Sequence, residues 1–120
     1  MIKIDFESDV PIYVQLKDEI IKEIAKGILK EGDSLPAIRQ LSSDLEVNLH
    51  TVNKTYNILK EEGYLRIDRR RGAIVSISKS DIDKFDEKLN KELKLLIAKA
   101  ICKGYTKNDL IEKISNSFDI

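Results

Sequence analysis

The sequence predicts a mainly α-helical protein with one small β-hairpin, arranged as residues 1–78 and a helical segment over 79–120. Three observations predict it. Apolar residues recur every three or four positions in five separate runs, the period of amphipathic helices. Two short β-prone runs, Tyr64–Asp68 and Ala73–Ile77, flank Arg69, Arg70, Arg71 and Gly72, the pattern of a hairpin closed by a glycine-containing turn. With 120 residues, 42% hydrophobic and 35% charged, the chain has material for one small core and an appendage.

Each element has its own signature. Ile2, Ile4 and Phe6 alternate with Lys3 and Asp5, as in a short strand. Pro11 suits the opening of a first helix, because its missing N–H is unpartnered there anyway. The stripe of that helix is Ile12, Leu16, Ile20, Ile24 and Ile28, with Tyr13 also on the core side, and Gly27 and Gly32 bracket its end. A second helix starts near Pro36 and turns Ile38, Leu41 and Leu45 inward. Asn48 caps a third. In it Val52, Tyr56 and Leu59 face the core, while His50, Thr51, Asn53, Lys54 and Asn57 face outward; Gly63 closes it. A long helix over 81–103 carries the stripe Ile82, Phe85, Leu89, Leu93, Leu96, Ile97, Ala100 and Ile101, with Cys102 packing beside it. Gly104 ends this helix. Thr106 with Asp109 then forms a capping box for a last helix, whose apolar face is Leu110, Ile111, Ile114 and Phe118.

Composition excludes several functions. The single cysteine, Cys102, leaves no disulfide framework and no cysteine-based zinc site. The single histidine, His50, speaks against a histidine-rich metal site and a Ser–His–Asp triad. No glycine-rich phosphate loop and no isolated carboxylate pair is present, so no catalytic residues, metal or cofactor are expected. No apolar run reaches the ~18–20 residues of a membrane span, and no secretory leader opens the chain; a cytoplasmic protein is the expectation.

Net charge is zero, from 21 basic and 21 acidic residues, but it is unevenly placed. Residues 1–47 hold 6 basic and 10 acidic groups, residues 48–79 hold 7 and 3, and residues 80–120 hold 8 of each. The excess of positive charge coincides with the third helix and the arginine-tipped hairpin. Fields are screened beyond about 8 Å at physiological salt, so a neutral chain still offers a local anion-binding surface. Charge on an edge strand also serves to block aggregation, which is a second reading of these arginines.

The second and third helices have the spacing of a helix-turn-helix. Numbered from Ile38, position 4 is Leu41, position 5 the small Ser42, position 8 Leu45, position 10 Val47 and position 15 Val52. Position 9 usually holds glycine because the turn needs a positive φ there; here it is Glu46. A hairpin directly after the second helix of the unit makes it a winged helix-turn-helix, a fold that points to nucleic acid.

The motifs P-I-Y-V-Q-L (11–16), G-I-L-K-E-G-D-S-L-P-A-I-R-Q-L (27–41), V-N-L-H-T-V-N-K-T-Y (47–56), L-K-E-E-G-Y (59–64) and R-R-G-A-I-V (70–75) occur in an order and at distances that resemble the GntR family of bacterial transcription regulators. The resemblance covers about residues 9–77. GntR-type proteins usually carry a large effector-binding domain after the wing, and the 40 residues after Ser80 are too few for one. Two helices in that place resemble the YtrA-type subfamily. That resemblance implies a C-terminal dimerisation segment, a double-stranded palindromic operator as partner, and repression of a transporter operon and of the regulator's own gene. It names no effector.

Family positions carry over residue by residue. The arginine of the family's L-P-S-x-R motif falls on Arg39, expected to meet phosphate or guanine. The Ser-Arg that opens the family's recognition helix falls on Asn48 and Leu49, so an arginine is missing there. Thr51 and Val52 match the following Thr-Val, and Thr51 is expected on phosphate or a thymine methyl. Asn53, on the same face, has the amide geometry for adenine; His50 and Lys54 lie beside it. The wing's Gly-x-Gly-Thr-Phe becomes Arg70, Arg71, Gly72, Ala73 and Ile74, so charge replaces a glycine at the tip, with Arg69 before it. The expected dimer interface is Ile82, Phe85, Leu89, Leu93, Leu96, Ile97, Ala100 and Ile101 with Leu110, Ile111 and Ile114. Three alternatives remain at this point. The winged helix could bind RNA or a protein partner, since that fold hosts many functions. The chain could be a small enzyme. The last two helices could fold back over the first and satisfy themselves there.

Overall fold

A computed structural model describes residues 2–119. Its elements are α1 (Ile12–Ala25), α2 (Ile38–Leu45), α3 (Leu49–Glu61), β1 (Leu65–Asp68), β2 (Gly72–Val75), α4 (Ile82–Cys102) and α5 (Lys107–Ser117). They form two compact units, divided between Ser78 and Lys79. The architecture is mainly helical with one hairpin, and among the described residues no helix is long and apolar enough to cross a membrane.

The core of the first unit is built where three helices and the hairpin converge. Leu16 and Ile20 come from α1, Leu41 from α2, Val52, Tyr56 and Leu59 from α3, Leu65 from β1, and Ala73 and Val75 from β2; Leu35 joins from the α1–α2 connection. Burying each large side chain contributes about 1.5–3 kcal/mol. The polar groups within this core are satisfied. Thr55, fully buried, donates from Oγ1 to its own helix at Thr51 O (2.9 Å) and across to Tyr13 O of α1 (3.3 Å). The Tyr56 hydroxyl donates to Pro36 O at 2.8 Å, which fixes the approach to α2. Burial pushes the Tyr56 phenol far above its ordinary pKa of 10.0. The stability it confers is therefore complete below pH 10 and is lost as pH rises beyond it, because the unfolded chain ionises first. Tyr56→Phe leaves the Pro36 carbonyl unpartnered; an expected loss of about 1–2 kcal/mol is read by urea unfolding at pH 7, and the variant's stability falls less steeply above pH 10.

Glu46 joins α2 to α3 with φ 55° and ψ 43°. The turn therefore takes its left-handed conformation without the usual glycine, held by Val47 N–H donating to Ser42 O at 3.0 Å. A left-handed residue bearing Cβ costs about 1–2 kcal/mol. Glu46→Gly is expected to raise unfolding stability by about 0.5–1 kcal/mol once the entropy of the new glycine is subtracted. A variant that melts below the wild type would contradict this.

Several sequence expectations are corrected. Residues 2–6 form no strand. Gln15 of α1 takes the place of a partner strand: Asp5 N–H donates to Gln15 Oε1 at 2.9 Å, and Gln15 Nε2 donates to Asp5 O at 3.0 Å and Val10 O at 2.8 Å. Ile2 and Ile4 still pack on the core, while Phe6 is exposed. The α1 stripe ends before Ile28, because the helix closes at Ala25 with Gly27 at φ 78°, and Ile28 is 56% exposed. Tyr13 is half-buried rather than core. α2 starts at Ile38, two residues beyond Pro36. The strands are shorter than the β-prone runs and pair antiparallel, Leu65 opposite Val75 through Asp68 opposite Gly72. β2 has a second neighbour that the sequence does not announce. Ser34 bridges Ile74, Gly32 N–H donates to Val75 O, and Leu35 N–H donates to Ala73 O, both at 2.8 Å. β2 is thus flanked on both edges, and Ala73, Ile74 and Val75 are all buried.

In the second unit, α5 opens on a capping box: Thr106 Oγ1 accepts from Asp109 N–H, and Asp109 Oδ2 accepts from Thr106 N–H at 2.8 Å. Those bonds hold the Asp109 carboxyl below its ordinary range. No residue of α4 or α5 is buried. Ile82, Phe85, Leu89, Leu93, Leu96, Ile97, Ile101, Ile111 and Ile114 are exposed, and Ala100 and Leu110 are half-buried. Cys102 is exposed rather than packed.

Candidate nucleic-acid interface

The helix-turn-helix presents the start of α3. Asn48 caps it, Oδ1 accepting the His50 backbone N–H at 2.8 Å. Its side-chain oxygen is thereby committed to the helix. The N-terminal end of the helix dipole adds positive partial charge there. Leu49 is half-buried, while His50 and Asn53 are exposed. These three line one shallow cleft with Ile38 and Arg39 from the first turn of α2. The structure thus brings a guanidinium, an imidazole and a carboxamide together beside two apolar side chains. Such donors match phosphate oxygens and the major-groove edges of bases.

Thr51 and Lys54 are placed differently. Thr51 is half-buried, and its carbonyl accepts from Thr55. The Lys54 ammonium lies 3.9 Å from the centre of the Tyr13 ring, a cation–π contact that orients the side chain along α1.

The wing is shaped by Asp68, which the sequence reading passed over. Its Oδ1 accepts the backbone N–H groups of Arg70 (2.8 Å) and Arg71 (3.0 Å), and these bonds lower its pKa, with smaller help from Arg66. An aspartate two residues before a turn amide is a recognisable local signal. Gly72, at φ 75°, leads the turn into β2. Arg69, Arg70 and Arg71 are all exposed at the tip. Arg71 turns back: its Nη2 donates to Gly32 O at 2.8 Å and Ser34 Oγ at 3.2 Å.

The family model described as "Bacterial regulatory proteins, gntR family" matches residues 12–75, from the first residue of α1 to the last of β2. The chain belongs to the GntR family. Within it, the chain is 41% identical over 76 residues to the HTH-type transcriptional repressor YtrA of Bacillus subtilis (strain 168), covering 63% of this chain and 58% of that one. The solved structure of YtrA from Sulfolobus acidocaldarius, a GntR-family transcription factor, is 42% identical, with a TM-score of 0.61 over 97% of this chain and 95% of that one. A transcriptional antiterminator from Listeria monocytogenes EGD-e superposes over 100% of this chain and 90% of its own, with a TM-score of 0.85 at 25% identity. The DNA-binding domain of AraR, solved in complex with operator ORX1, matches 62% of this chain and 96% of its own, with a TM-score of 0.57 at 25% identity. This GntR-family chain is a transcription regulator of the YtrA type, not an enzyme.

Proposed function

We propose that this GntR-family protein is a homodimeric, sequence-specific repressor that reads a palindromic operator in double-stranded DNA. The cleft carries this reading: Arg39, Leu49, His50 and Asn53 meet at the opening turns of the two helices of a helix-turn-helix. Arg39, Arg69 and Arg70 supply exposed charge for phosphates, and Asn53 the bidentate pairing for adenine. Two relatives support the same direction: YtrA of Bacillus subtilis is a transcriptional repressor, and the AraR DNA-binding domain is solved on operator DNA. The YtrA-type resemblance supports a transporter operon and the protein's own gene as targets.

Homodimerisation is supported by the second unit. A segment of about 40 residues is near the lower limit at which a chain buries enough surface by itself. Its two helices leave Phe85, Leu89, Leu93 and Leu96 in water, and an apolar face of that extent marks an interface. Two copies close it as a four-helix arrangement about a two-fold axis.

The test is a gel shift on the promoter duplex of the protein's own operon. Complex that survives excess nonspecific duplex supports the reading. Equal competition by nonspecific DNA, or preference for an RNA of the same sequence, overturns it. On a confirmed operator, Asn53→Ala is expected to cost about 1–3 kcal/mol and to relax selection at one base position. Unchanged selection at every position would remove Asn53 from the readout.

A further inference from the structure

The three arginines of the wing tip are not equivalent. All three are exposed. Arg71 points across to the α1–α2 connection, where its guanidinium meets the Gly32 carbonyl and the Ser34 hydroxyl. Just behind this contact, the bridge between Ser34 and Ile74 ties the same two segments through their backbones. From the other strand Asp68 reaches into the turn and takes both amide N–H groups, Arg70 and Arg71. One carboxylate and one guanidinium therefore hold the turn from two sides.

We propose that Asp68 and Arg71 are positioning residues that set the wing turn before DNA arrives, and that Arg69 and Arg70 carry its phosphate-binding charge. The proposal rests on the DNA-binding reading above. Its physical basis is the competition at Arg71: a phosphate drawing that guanidinium outward must displace hydrogen bonds to Gly32 and Ser34. Arg69 and Arg70 face no such competition, because the hydrogen bonds at Arg70 involve only its backbone. A turn already held in one shape loses less freedom on binding, so its tethers add affinity without touching the ligand.

Asp68 gives the proposal a sign that charge alone cannot imitate. Removing a carboxylate beside a polyanion strengthens binding on electrostatic grounds. Loss of the tether weakens it. Asp68→Ala is therefore expected to bind about tenfold more weakly than the wild type. Asp68→Asn keeps an acceptor oxygen for the two amides and loses the charge, so it binds at least as tightly as the wild type.

The experiment measures binding of the full chain to the promoter duplex across a range of salt, with amide hydrogen exchange of the free protein alongside. Arg70→Ala is expected to lower the slope of log affinity against log salt by about 0.9, one phosphate contact. Arg71→Ala weakens binding about tenfold at every salt concentration and leaves the slope near the wild-type value. Without DNA, the Arg70 and Arg71 amides are protected in the wild type and in Asp68→Asn, and exchange faster in Asp68→Ala. A slope for Arg71→Ala that falls as it does for Arg70→Ala would make Arg71 a phosphate contact and overturn its assignment. Tighter binding by Asp68→Ala, or unprotected wild-type amides, would overturn the tether. A wild type without preference for its promoter fails the DNA-binding reading instead, a result distinct from the exchange measurement.

Discussion

Replacing Leu93 and Leu96 together by glutamate is expected to yield a monomer whose operator affinity falls by about 10²–10⁴, while the first unit stays folded. Both leucines belong to the apolar face of α4, at 38% and 56% exposure in the single chain. Two carboxylates per copy in a closed apolar interface would each be desolvated without a partner, which a packed interface does not tolerate. The affinity loss follows from the second contact. In a dimer, the second winged helix binds as an intramolecular event at high effective concentration, and linkage of that kind adds about 10²–10⁴ without new contacts. Sedimentation reads the mass and fluorescence anisotropy on the operator reads the affinity. Circular dichroism controls for folding. A wild type that sediments as a monomer at micromolar concentration, without DNA, would sink the dimer reading whatever the variant does.

Leu16→Ala carries the largest expected effect on stability. Leu16 is fully buried in the first half of α1, in the core shared with α3 and the hairpin. Truncation removes its transfer energy and leaves a cavity that three helices and a sheet cannot collapse, an expected cost of about 2–5 kcal/mol. Against a typical total of 5–15 kcal/mol, such a loss leaves the recognition helix without firm support. Urea unfolding followed by circular dichroism measures it. A shift below about 1 kcal/mol would mean that α1 is not central to this core.

What the sequence made legible was what local chemistry decides. The helical periods, the Asn48 cap, the Thr106–Asp109 box and the antiparallel hairpin were readable because each depends on residues within a turn or two of one another. Glu46 was legible as a position needing positive φ, although its side chain gave no sign that it would accept one. The missing parts are contacts between distant segments. Nothing in the alternation of Ile2, Ile4 and Phe6 reveals that a glutamine ten residues after Asp5 will satisfy the backbone that a strand would have used. The pairing of Ser34 with Ile74 spans the whole helix-turn-helix, and so does the reach of Arg71 to Gly32. Charge runs mislead in the same way: three adjacent arginines read as one patch, yet one of them is committed within the fold.

Half-site geometry is the most direct test of the central claim, that two copies of this winged helix read one operator. Hydroxyl-radical footprinting of the full chain on its own promoter duplex supplies it. Two equivalent protected regions related by a dyad are expected, with centres one helical turn apart, about 10–10.5 base pairs, or a whole multiple of that spacing. The bases they share should form an inverted repeat. A single asymmetric footprint, or protection that spreads evenly along the duplex, would contradict it.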